Sequence, residues 1–397
     1  MAILVLNRYP KSRADYEEWF KELDDELYML GYEETINDFN NFSERKSFSN
    51  FLKNGEVDYE AINLFNKKPY RAIISLEEGE VLRAASLRDR LGIAGQSLES
   101  ALAFRNKLIM KTIAEKNGIP VATFKKIDTP VDIFEFVKQY GFPIVVKPVL
   151  GWSSIDTKVF YSERELMNWM KLGEWEHKLV ESYIGGEMYH VDGVAIDKQV
   201  KFACASSYVN TCLHYLEEKG KGSAMLELEH PFRERLVNFV KNILQKFPTP
   251  DITTFHAEIF HTVDDNLVMC EIASRTVGSK VQEIISQAFG IDLNKFVSRA
   301  QCGLMDELPS ANDLYEPRGI YFVPPWKGIL KEYPDSIPFD WCTGYIRTGI
   351  VGERYEGPIR SNDCYAICMV KGDSEKRVQE RLSIASTYIQ ENSIWEI

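Results

Sequence analysis

Apolar strands and amphipathic helices alternate from the start of this chain, and this alternation limits the folds open to it more than any other feature. Residues 2–6 form an unbroken apolar run typical of a buried strand, and a second such run covers residues 71–76. Helical spacing follows each run, over residues 16–30 and 80–91, and both predicted helices end at a glycine. Because alternating strands and helices favour βαβ units, we predict an α/β N-terminal domain around a parallel sheet.

Beyond residue 97 the pattern changes to shorter elements. One helix is predicted over residues 98–116, and a compact α+β block of short strands and helices follows it to residue 186. The remainder shows helices over 231–247 and 280–301, a hairpin over 254–274 and a strand-rich tail. A chain of 397 residues has room for two or three domains. We predict three, with the boundaries 1–112, 113–186 and 187–397.

Composition and charge exclude several classes of protein. Acidic residues outnumber basic ones by 59 to 47, and the resulting formal charge of −12 argues against a general binder of nucleic-acid backbones. No apolar run approaches the length of a membrane span, and the first residues lack the basic leader of a signal peptide. The seven cysteines are scattered without a C-x-x-C pair, which is typical of reduced thiols. We predict a cytoplasmic protein that binds neither nucleic acid nor membrane.

The hairpin over residues 254–274 carries the most informative charges. If the two aspartates at its tip form a two-residue loop, Glu258 faces Glu271 directly across the ladder, and a slip of two residues keeps both on one face. Facing carboxylates repel each other unless a cation lies between them, and oxygen ligands of this kind suit Mg²⁺. Period two also carries Arg275 onto the face of Glu271, where it could hold a phosphate or carboxylate.

An ordinary alternative for these residues is a solvated outer face, on which glutamate and arginine simply meet water. Apolar neighbours such as Ile259, Phe260 and Val268 make the two strands look buried, which favours the cation. His256 shares a strand face with Glu258, and we interpret it as a structural histidine.

Two lysines and a small polar turn form a second group. Lys107 lies in a predicted helix, and Lys147 lies inside a near-continuous apolar strand, where its charge is costly unless it meets an anion. The GWSS turn at residues 151–154 offers backbone N–H groups and hydroxyls to phosphate oxygens. A connecting turn and a lysine that extends to solvent are the ordinary alternatives. Neither a P-loop nor a G-x-G-x-x-G motif occurs.

Taken in order, these pieces resemble the ATP-grasp superfamily of carboxylate ligases. The matching segments are RNKLIMK at 105–111, VVKP at 145–148, GWSS at 151–154, ESYIGGE at 181–187, HAEIF at 256–260 and EIASR at 271–275. Each motif alone is unspecific, whereas six in this order and spacing are specific. The resemblance implies an ATP-grasp fold with a Rossmann-like pre-ATP-grasp N-terminal domain, a small α+β lid domain and a larger C-terminal α+β domain.

The resemblance also implies a set of residues that bind ATP. Its members are Lys107, Lys147, Ser153, Ser154, Glu181, Ser182, Tyr183, Ile184 and Glu187. The two lysines would contact the phosphates, and the two serines would belong to a mobile phosphate loop. The backbone of residues 181–184 would meet the adenine, and Glu187 would meet the ribose.

A further set implied by the resemblance would hold the metal and act on the reacting group. Glu258 and Glu271 would bind Mg²⁺, or Mn²⁺ in its place. Arg275 and Lys147 would be the catalytic residues, with Arg275 stabilising an acyl phosphate.

Two positions depart from the family pattern. Ala273 stands where the metal strand often has asparagine, so one metal ligand is missing or is supplied from elsewhere. Asp156 stands where the phosphate loop commonly has glycine.

The implied activity is phosphorylation of a carboxylate by ATP and transfer of the acyl group to an amine, with ADP and phosphate as products. The EIASR segment resembles the corresponding segment in ligases of amino acids and small peptides, including those of secondary metabolism. One alternative is transfer to a carrier-protein thiol, as in loading ligases of aminoglycoside pathways. Another is a nucleotide-binding module without catalysis, which Ala273 motivates.

The carboxylate, the acceptor and the oligomeric state stay open at this point, a homodimer included. We expect the acceptor pocket to be lined partly by the tail after residue 305. The candidates there are Trp326, Trp341, Arg347 and Arg360.

Overall fold

A parallel sheet begins the chain, as the alternation predicts. The computed structural model describes residues 1–210, 220–278, 280–310, 316–358, 360 and 362–397. The first elements are β1 (Ala2–Asn7), α1 (Tyr16–Trp19), β2 (Glu26–Tyr32), β3 (Glu44–Phe48), α2 (Glu56–Lys67), β4 (Tyr70–Ser75) and α3 (Val81–Leu91). The four strands run parallel in the order β3-β2-β1-β4, and apolar clusters cover both faces of the sheet.

Two helices lead from this sheet into a small antiparallel one. The elements are α4 (Leu98–Arg105), α5 (Lys107–Lys116), β5 (Phe124–Lys126), α6 (Pro130–Tyr140), β6 (Ile144–Pro148), β7 (Lys158–Phe160), α7 (Glu163–Met170) and β8 (Lys178–Ser182). The strand order is β5-β8-β6-β7, so β6 lies between β7 and β8 and presents Lys147 from the middle of the sheet.

A large antiparallel sheet occupies the rest of the chain. Its elements begin with β9 (Glu187–Ile196), β10 (Gln199–Val209), β11 (Lys221–Met225), α8 (Arg233–Lys246), β12 (Ile252–His261), β13 (Leu267–Ala273), α9 (Val281–Phe289) and α10 (Leu293–Gln301). They continue with β14 (Arg318–Val323), β15 (Lys327–Glu332), β16 (Cys342–Arg347), β17 (Arg354–Glu356), β18 (Ala366–Lys371), α11 (Glu375–Glu391) and β19 (Ile394–Glu396). The large sheet has the order β13-β12-β9-β10-β11-β14-β18-β16, and β17-β15-β19 form a separate small one.

The two faces of the large sheet differ, and the difference positions the site. One face packs its apolar side chains, such as Val191, Phe255 and Ala257, against α4, α5 and α8. On the other face α9 and α10 cover apolar side chains such as Val194 and Phe202. Farther along the same strands that second face carries polar side chains instead, and these line a cavity.

The helix predicted over residues 16–30 is wrong beyond its first turn. The helix α1 ends at Trp19, and residues 26–32 form β2, which lies between β1 and β3. Pairing on both sides outweighed the helical spacing of the leucines, because Tyr28, Met29 and Leu30 are all buried in a parallel sheet. Gly31 is part of this strand and does not end a helix; a Cβ there would lie 2.8 Å from the Asn7 carbonyl oxygen.

Two long predicted helices are each broken once. The segment 98–116 divides at Asn106, which has an extended backbone and whose side chain accepts hydrogen bonds from the N–H groups of Leu108 and Ile109. The segment 280–301 divides at Gly290, which has a φ of +69°, and α10 then begins after the N-cap Asp292. The elements that were not predicted include the strand β3, the helix α2, and the helix α11 in the tail that we expected to be strand-rich.

No helix in the described part of the chain combines the length and the apolar character that a membrane crossing requires. The six cysteines within the described residues are all free thiols, as predicted, and Cys212 lies outside those residues.

Candidate active site

Two cavities meet beside β12 and β13. The larger, about 300 Å³, lies between the small antiparallel sheet and the large sheet, and its lining includes Lys147, Ser182 and Ile184. The smaller, about 110 Å³, includes His256 and Arg275 in its lining. The residues common to both linings are Lys107, Gly151, Trp152, Ser153, Ser154, Glu258 and Glu271. The structure thus brings most of the predicted phosphate and metal residues to the junction of the two cavities.

Glu258 and Glu271 are paired directly across the ladder, which confirms the predicted register. The pairs nearer the tip of the hairpin differ by one residue from the predicted register. Cys270 is an extra residue of β13 between the pairs Glu258–Glu271 and Ile259–Met269. Such a β-bulge changes which side chains share a face. Met269 and Ile272 both enter the core, while Glu271 lines the cavities together with Glu258. Strict alternation from Met269 would have placed Glu271 in the core.

The two carboxylates provide the oxygen donors that a divalent cation needs. Glu271 Oε2 lies 3.0 Å from Lys107 Nζ, and the Tyr208 hydroxyl donates a hydrogen bond of 2.6 Å to Glu258 Oε1. Burial would raise the pKa of Glu258, but the hydrogen bond and charge of His256 hold it well below its usual value. The residues present therefore fit Mg²⁺, which proteins commonly hold by one or two carboxylates together with substrate phosphates.

A buried aspartate that no sequence pattern predicts adjoins this pair. Asp192 in β9 lies opposite His256, and its Oδ1 is 2.8 Å from His256 Nδ1. Its Oδ2 is 2.6 Å from Nδ1 of His190, whose Nε2 is 2.6 Å from Ser223 Oγ. Burial would lower the pKa of His256, but the charge of Asp192 raises it to about 9. Only knowledge of the strand order of the large sheet could have found this network, because its members come from β9, β11 and β12.

Lys147 belongs to a buried group of three charges. Its Nζ lies 2.6 Å from Glu181 Oε1, and Lys111 Nζ lies 2.9 Å from Glu181 Oε2. Burial would raise the pKa of Glu181, but Lys111 and Lys147 lower it to about 2; burial would lower the pKa of Lys147, but Glu181 raises it. The sequence analysis did not select Lys111. Its position one turn after Lys107 on the same helix could have identified it.

The segment predicted to meet adenine and ribose lies along the larger cavity. Ser182, Tyr183 and Ile184 line it, and the N–H groups of Ser182 and Tyr183 already donate to backbone carbonyls of the fold. Any backbone hydrogen bond between these two residues and adenine would therefore use their carbonyls. The side chain of Glu187 is 72 % exposed, accepts a hydrogen bond from the Tyr189 hydroxyl and lies outside the lining of either cavity.

The phosphate loop has an unusual backbone. Ser153, Ser154 and Asp156 all have φ values between +54° and +57°, in the left-handed region that favours glycine. Aspartate tolerates this conformation better than most residues, and the Asp156 carboxylate pairs with Lys178. The predicted departure at position 156 thus keeps the backbone shape that glycine would allow. At the start of the loop, the Gly151 carbonyl accepts a hydrogen bond of 2.9 Å from Lys107 Nζ.

Arg275 is held by a residue that the sequence analysis missed. Its guanidinium pairs with Glu78, which follows β4 and also pairs with Arg105. Burial would raise the pKa of Glu78, but Arg275 and Arg105 lower it to about 2. A glutamate just beyond the carboxyl end of a buried parallel strand was a usable signal, because sites of α/β proteins lie at that edge.

The tail residues that we expect at an acceptor pocket do not line either of these two cavities. Trp326, Trp341, Arg347 and Arg360 are absent from the linings of both cavities. Trp326 faces Trp395, the guanidinium of Arg381 lies over Trp341, and Arg347 pairs with Asp335, so these side chains serve packing around the small sheet and α11. The tail reaches the smaller cavity through Phe322 and Asn362 instead, and Asn362 donates to Ser153 Oγ at 3.2 Å.

Comparisons with known proteins agree with this geometry, although no protein-family model matches the chain. An L-arginine-specific L-amino acid ligase from Bacillus subtilis is 30% identical over 296 residues, which cover 71% of this chain and 70% of that protein. The solved structure of an L-amino acid ligase from Bacillus licheniformis matches with a TM-score of 0.80 at 15% identity, over 100% of this chain and 99% of that one. A carboxyaminoimidazole ribonucleotide synthase from Aspergillus clavatus complexed with ATP matches with a TM-score of 0.73 at 13% identity, over 98% and 99%.

The relative from Bacillus subtilis shares sequence over more than two thirds of both chains, and the two solved structures share the fold over nearly their whole length. The fold class predicted from the motifs is confirmed. The chain belongs to the ATP-grasp superfamily, and it is an ATP-dependent ligase that forms carbon–nitrogen bonds.

Proposed function

We propose that this enzyme joins the carboxylate of an amino acid or small peptide to an amine through an acyl phosphate. The observation that carries the proposal is the junction of the two cavities at Glu258 and Glu271. The larger cavity has the volume and the lysines for a nucleotide, and the smaller one, about 110 Å³, has room for a small charged substrate next to the terminal phosphate. The Bacillus subtilis relative, an L-amino acid ligase, supports the substrate class.

The first step transfers a phosphoryl group. A carboxylate oxygen of the substrate attacks the γ-phosphorus of ATP, the bond to the bridging oxygen breaks, and ADP leaves. Such a transfer depends on positioning and on neutralising charge. Lys107 and Lys147 would supply positive charge at the phosphates, and Arg275 would face the acyl phosphate. Mg²⁺ or Mn²⁺ bound by Glu258 and Glu271 would neutralise charge on the phosphate oxygens.

The second step forms the amide. The nitrogen of the acceptor amine attacks the acyl carbon, inorganic phosphate leaves with the electrons of the carbon–oxygen bond, and the nitrogen loses a proton. Closure of the loop at residues 151–156 would keep water from the acyl phosphate, because Trp152, Ser153 and Ser154 line both cavities.

The experiment is a product assay with ATP, Mg²⁺ and amino acids supplied singly and in pairs. We expect ADP and phosphate, with release that rises strongly only when a carboxylate and a free amine are both present. AMP and pyrophosphate would overturn the mechanism. ADP formation that requires a phosphopantetheinylated carrier protein, with a product cleaved by hydroxylamine, would identify a thiol acceptor instead of an amine. ATP binding without turnover would indicate a module that has lost catalysis.

A further inference from the structure

We propose that His256 is a third protein ligand of the divalent cation at Glu258 and Glu271, and that it binds through Nε2. The inference rests on the proposed function, because it adds a residue to the same metal site. His256 precedes Glu258 by two residues in β12, so both side chains emerge on the same face, and both line the smaller cavity.

The orientation of the His256 ring is fixed by Asp192. An ionised carboxylate only accepts hydrogen bonds, so the Nδ1 atom, 2.8 Å from Asp192 Oδ1, carries a proton and donates it. The other oxygen of Asp192 is engaged by His190, which leaves the aspartate no freedom to turn. Nε2 is therefore the nitrogen that faces Glu258. Because only a neutral imidazole binds a metal, the cation would displace the proton that Nε2 carries in the metal-free protein, and that proton would leave to solvent. Metal-binding histidines almost always donate their other ring N–H in this way, to a carboxylate, a backbone carbonyl or water.

The distances suit two ligands of one cation. His256 Nε2 lies 3.5 Å from Glu258 Oε1, at the outer limit of a hydrogen bond. Neighbouring ligands of an octahedral ion with bonds of about 2.1 Å lie about 3 Å apart, so only a small movement is needed to bring both atoms onto one cation.

Ala273 explains why a donor is needed from β12. It stands directly across the ladder from His256, and both residues line the smaller cavity. Its methyl group provides no donor atom for a cation. The donor missing from β13 is thus supplied by the strand that faces it.

A nitrogen ligand changes which divalent cation the site binds more tightly. Magnesium strongly favours oxygen ligands, whereas imidazole is a good ligand for transition metals. Two carboxylates and one imidazole should therefore bind Mn²⁺ well, and replacement of His256 by an oxygen donor should shift the preference towards Mg²⁺. We expect the ratio of Mn²⁺ to Mg²⁺ affinity to fall about 10-fold or more in His256→Gln, a loss typical for changes around a metal.

The test is pulsed EPR of the full chain loaded with Mn²⁺ and ADP. The protein is prepared once unlabelled and once with ¹⁵N-histidine, while the nucleotide keeps ¹⁴N in both samples. We expect a ¹⁴N modulation of the Mn²⁺ signal that changes to the ¹⁵N pattern on labelling. Because this comparison uses the unaltered sequence, it does not depend on whether a variant folds.

Two variants identify the histidine. His256→Gln should still bind Mn²⁺ through the two glutamates but lose the histidine signal. The matched control, His177→Asn, alters an exposed histidine far along the chain and should keep the signal.

The outcomes separate this inference from the proposed function. Bound Mn²⁺ without a histidine nitrogen would overturn the inference alone, and His256 would then serve only as a charged partner of Glu258. Failure of Mn²⁺ and Mg²⁺ to bind in the presence of nucleotide would overturn the metal site and the inference together.

Discussion

At the scale of single residues, three carboxylates in or beside the core share one arrangement, in which each lies between two basic side chains. They are Glu181 with Lys111 and Lys147, Glu78 with Arg105 and Arg275, and Asp192 with His190 and His256. Burial of an ionised group is costly unless it is paired and hydrogen-bonded, so these groups hold the lysines, the arginine and the imidazole in fixed positions around the cavities.

Removal of one facing carboxylate should separate activity from stability. In Glu271→Gln we expect turnover to fall by about 100-fold or more, because one oxygen ligand of the cation is weakened. The free energy of unfolding should change by less than about 1 kcal/mol, since the lost pair with Lys107 is offset by the lost repulsion with Glu258. ADP release and urea unfolding measure the two effects. Glu283→Gln, at a surface pair with Lys280, is the control, and full activity of Glu271→Gln would contradict the metal assignment.

At the scale of elements, the break at Asn106 sets the position of Lys107. The Asn106 side chain accepts hydrogen bonds from two N–H groups at the start of α5, and Lys107 is the first residue of that helix. Asn106→Ala should lower the free energy of unfolding by about 1 kcal/mol and raise the KM for ATP, because the first turn frays. Asn106→Ser keeps a capping oxygen and should recover most of both losses. Equal effects of alanine and serine would show that the cap is not the cause.

The loop at residues 151–156 is the element that nucleotide binding should order. Its contacts with the rest of the fold include a hydrogen bond from Asn362 to Ser153, the guanidinium of Arg105 over Trp152, and the pair of Asp156 with Lys178. Phosphate oxygens would add partners for its backbone N–H groups. We expect chymotrypsin cleavage after Trp152 to slow about 10-fold or more with a non-hydrolysable ATP analogue.

Cleavage after Trp326 is the internal control for this experiment, since that residue is 45 % exposed and lies outside the lining of both cavities. Equal cleavage after Trp152 with and without the analogue would count against ordering of the loop.

At the scale of the whole molecule, the carboxylates of Glu78 and Glu181 make the free energy of unfolding depend on pH. The pKa values of Glu78 and Glu181 are about 2 in the folded protein, against 4.5 for an ordinary glutamate. The unfolded chain therefore binds more protons between these values, and the free energy of unfolding should decrease as the pH falls from about 5 towards 2. Each group contributes on the order of 3 kcal/mol of stability above pH 5.

Comparison with Glu181→Gln tests this pH dependence. At pH 7 the substitution leaves Lys111 and Lys147 buried without a counter-charge and should cost about 3–5 kcal/mol. The difference from the unaltered protein should shrink towards pH 2, where Glu181 itself becomes protonated. Urea unfolding at several pH values measures it, and a difference independent of pH would show that the carboxylate charge is not responsible.

The sequence by itself determined the features that depend on neighbours along the chain. The facing of Glu258 and Glu271 could be predicted to within the one-residue bulge at Cys270, because a hairpin joins its strands by a short turn and pairing is local. The helix over 163–170 and the end of α3 at Gly92 could be predicted as well, since caps and amphipathic spacing lie within one element. The motif order predicted the ATP-grasp fold for the same reason, as each motif is a short local segment.

Only the tertiary structure decided what depends on distant partners. Residues 26–32 became a strand because β1 and β3 flank them, although their apolar spacing favoured a helix. Glu78 meets Arg275 across 197 residues of chain, and Asp192 meets His256 across 64. No local spacing encodes such pairs, because they exist only once sheets and helices have packed. The charged residues can therefore be identified from the local sequence, but their partners depend on how the sheets and helices pack.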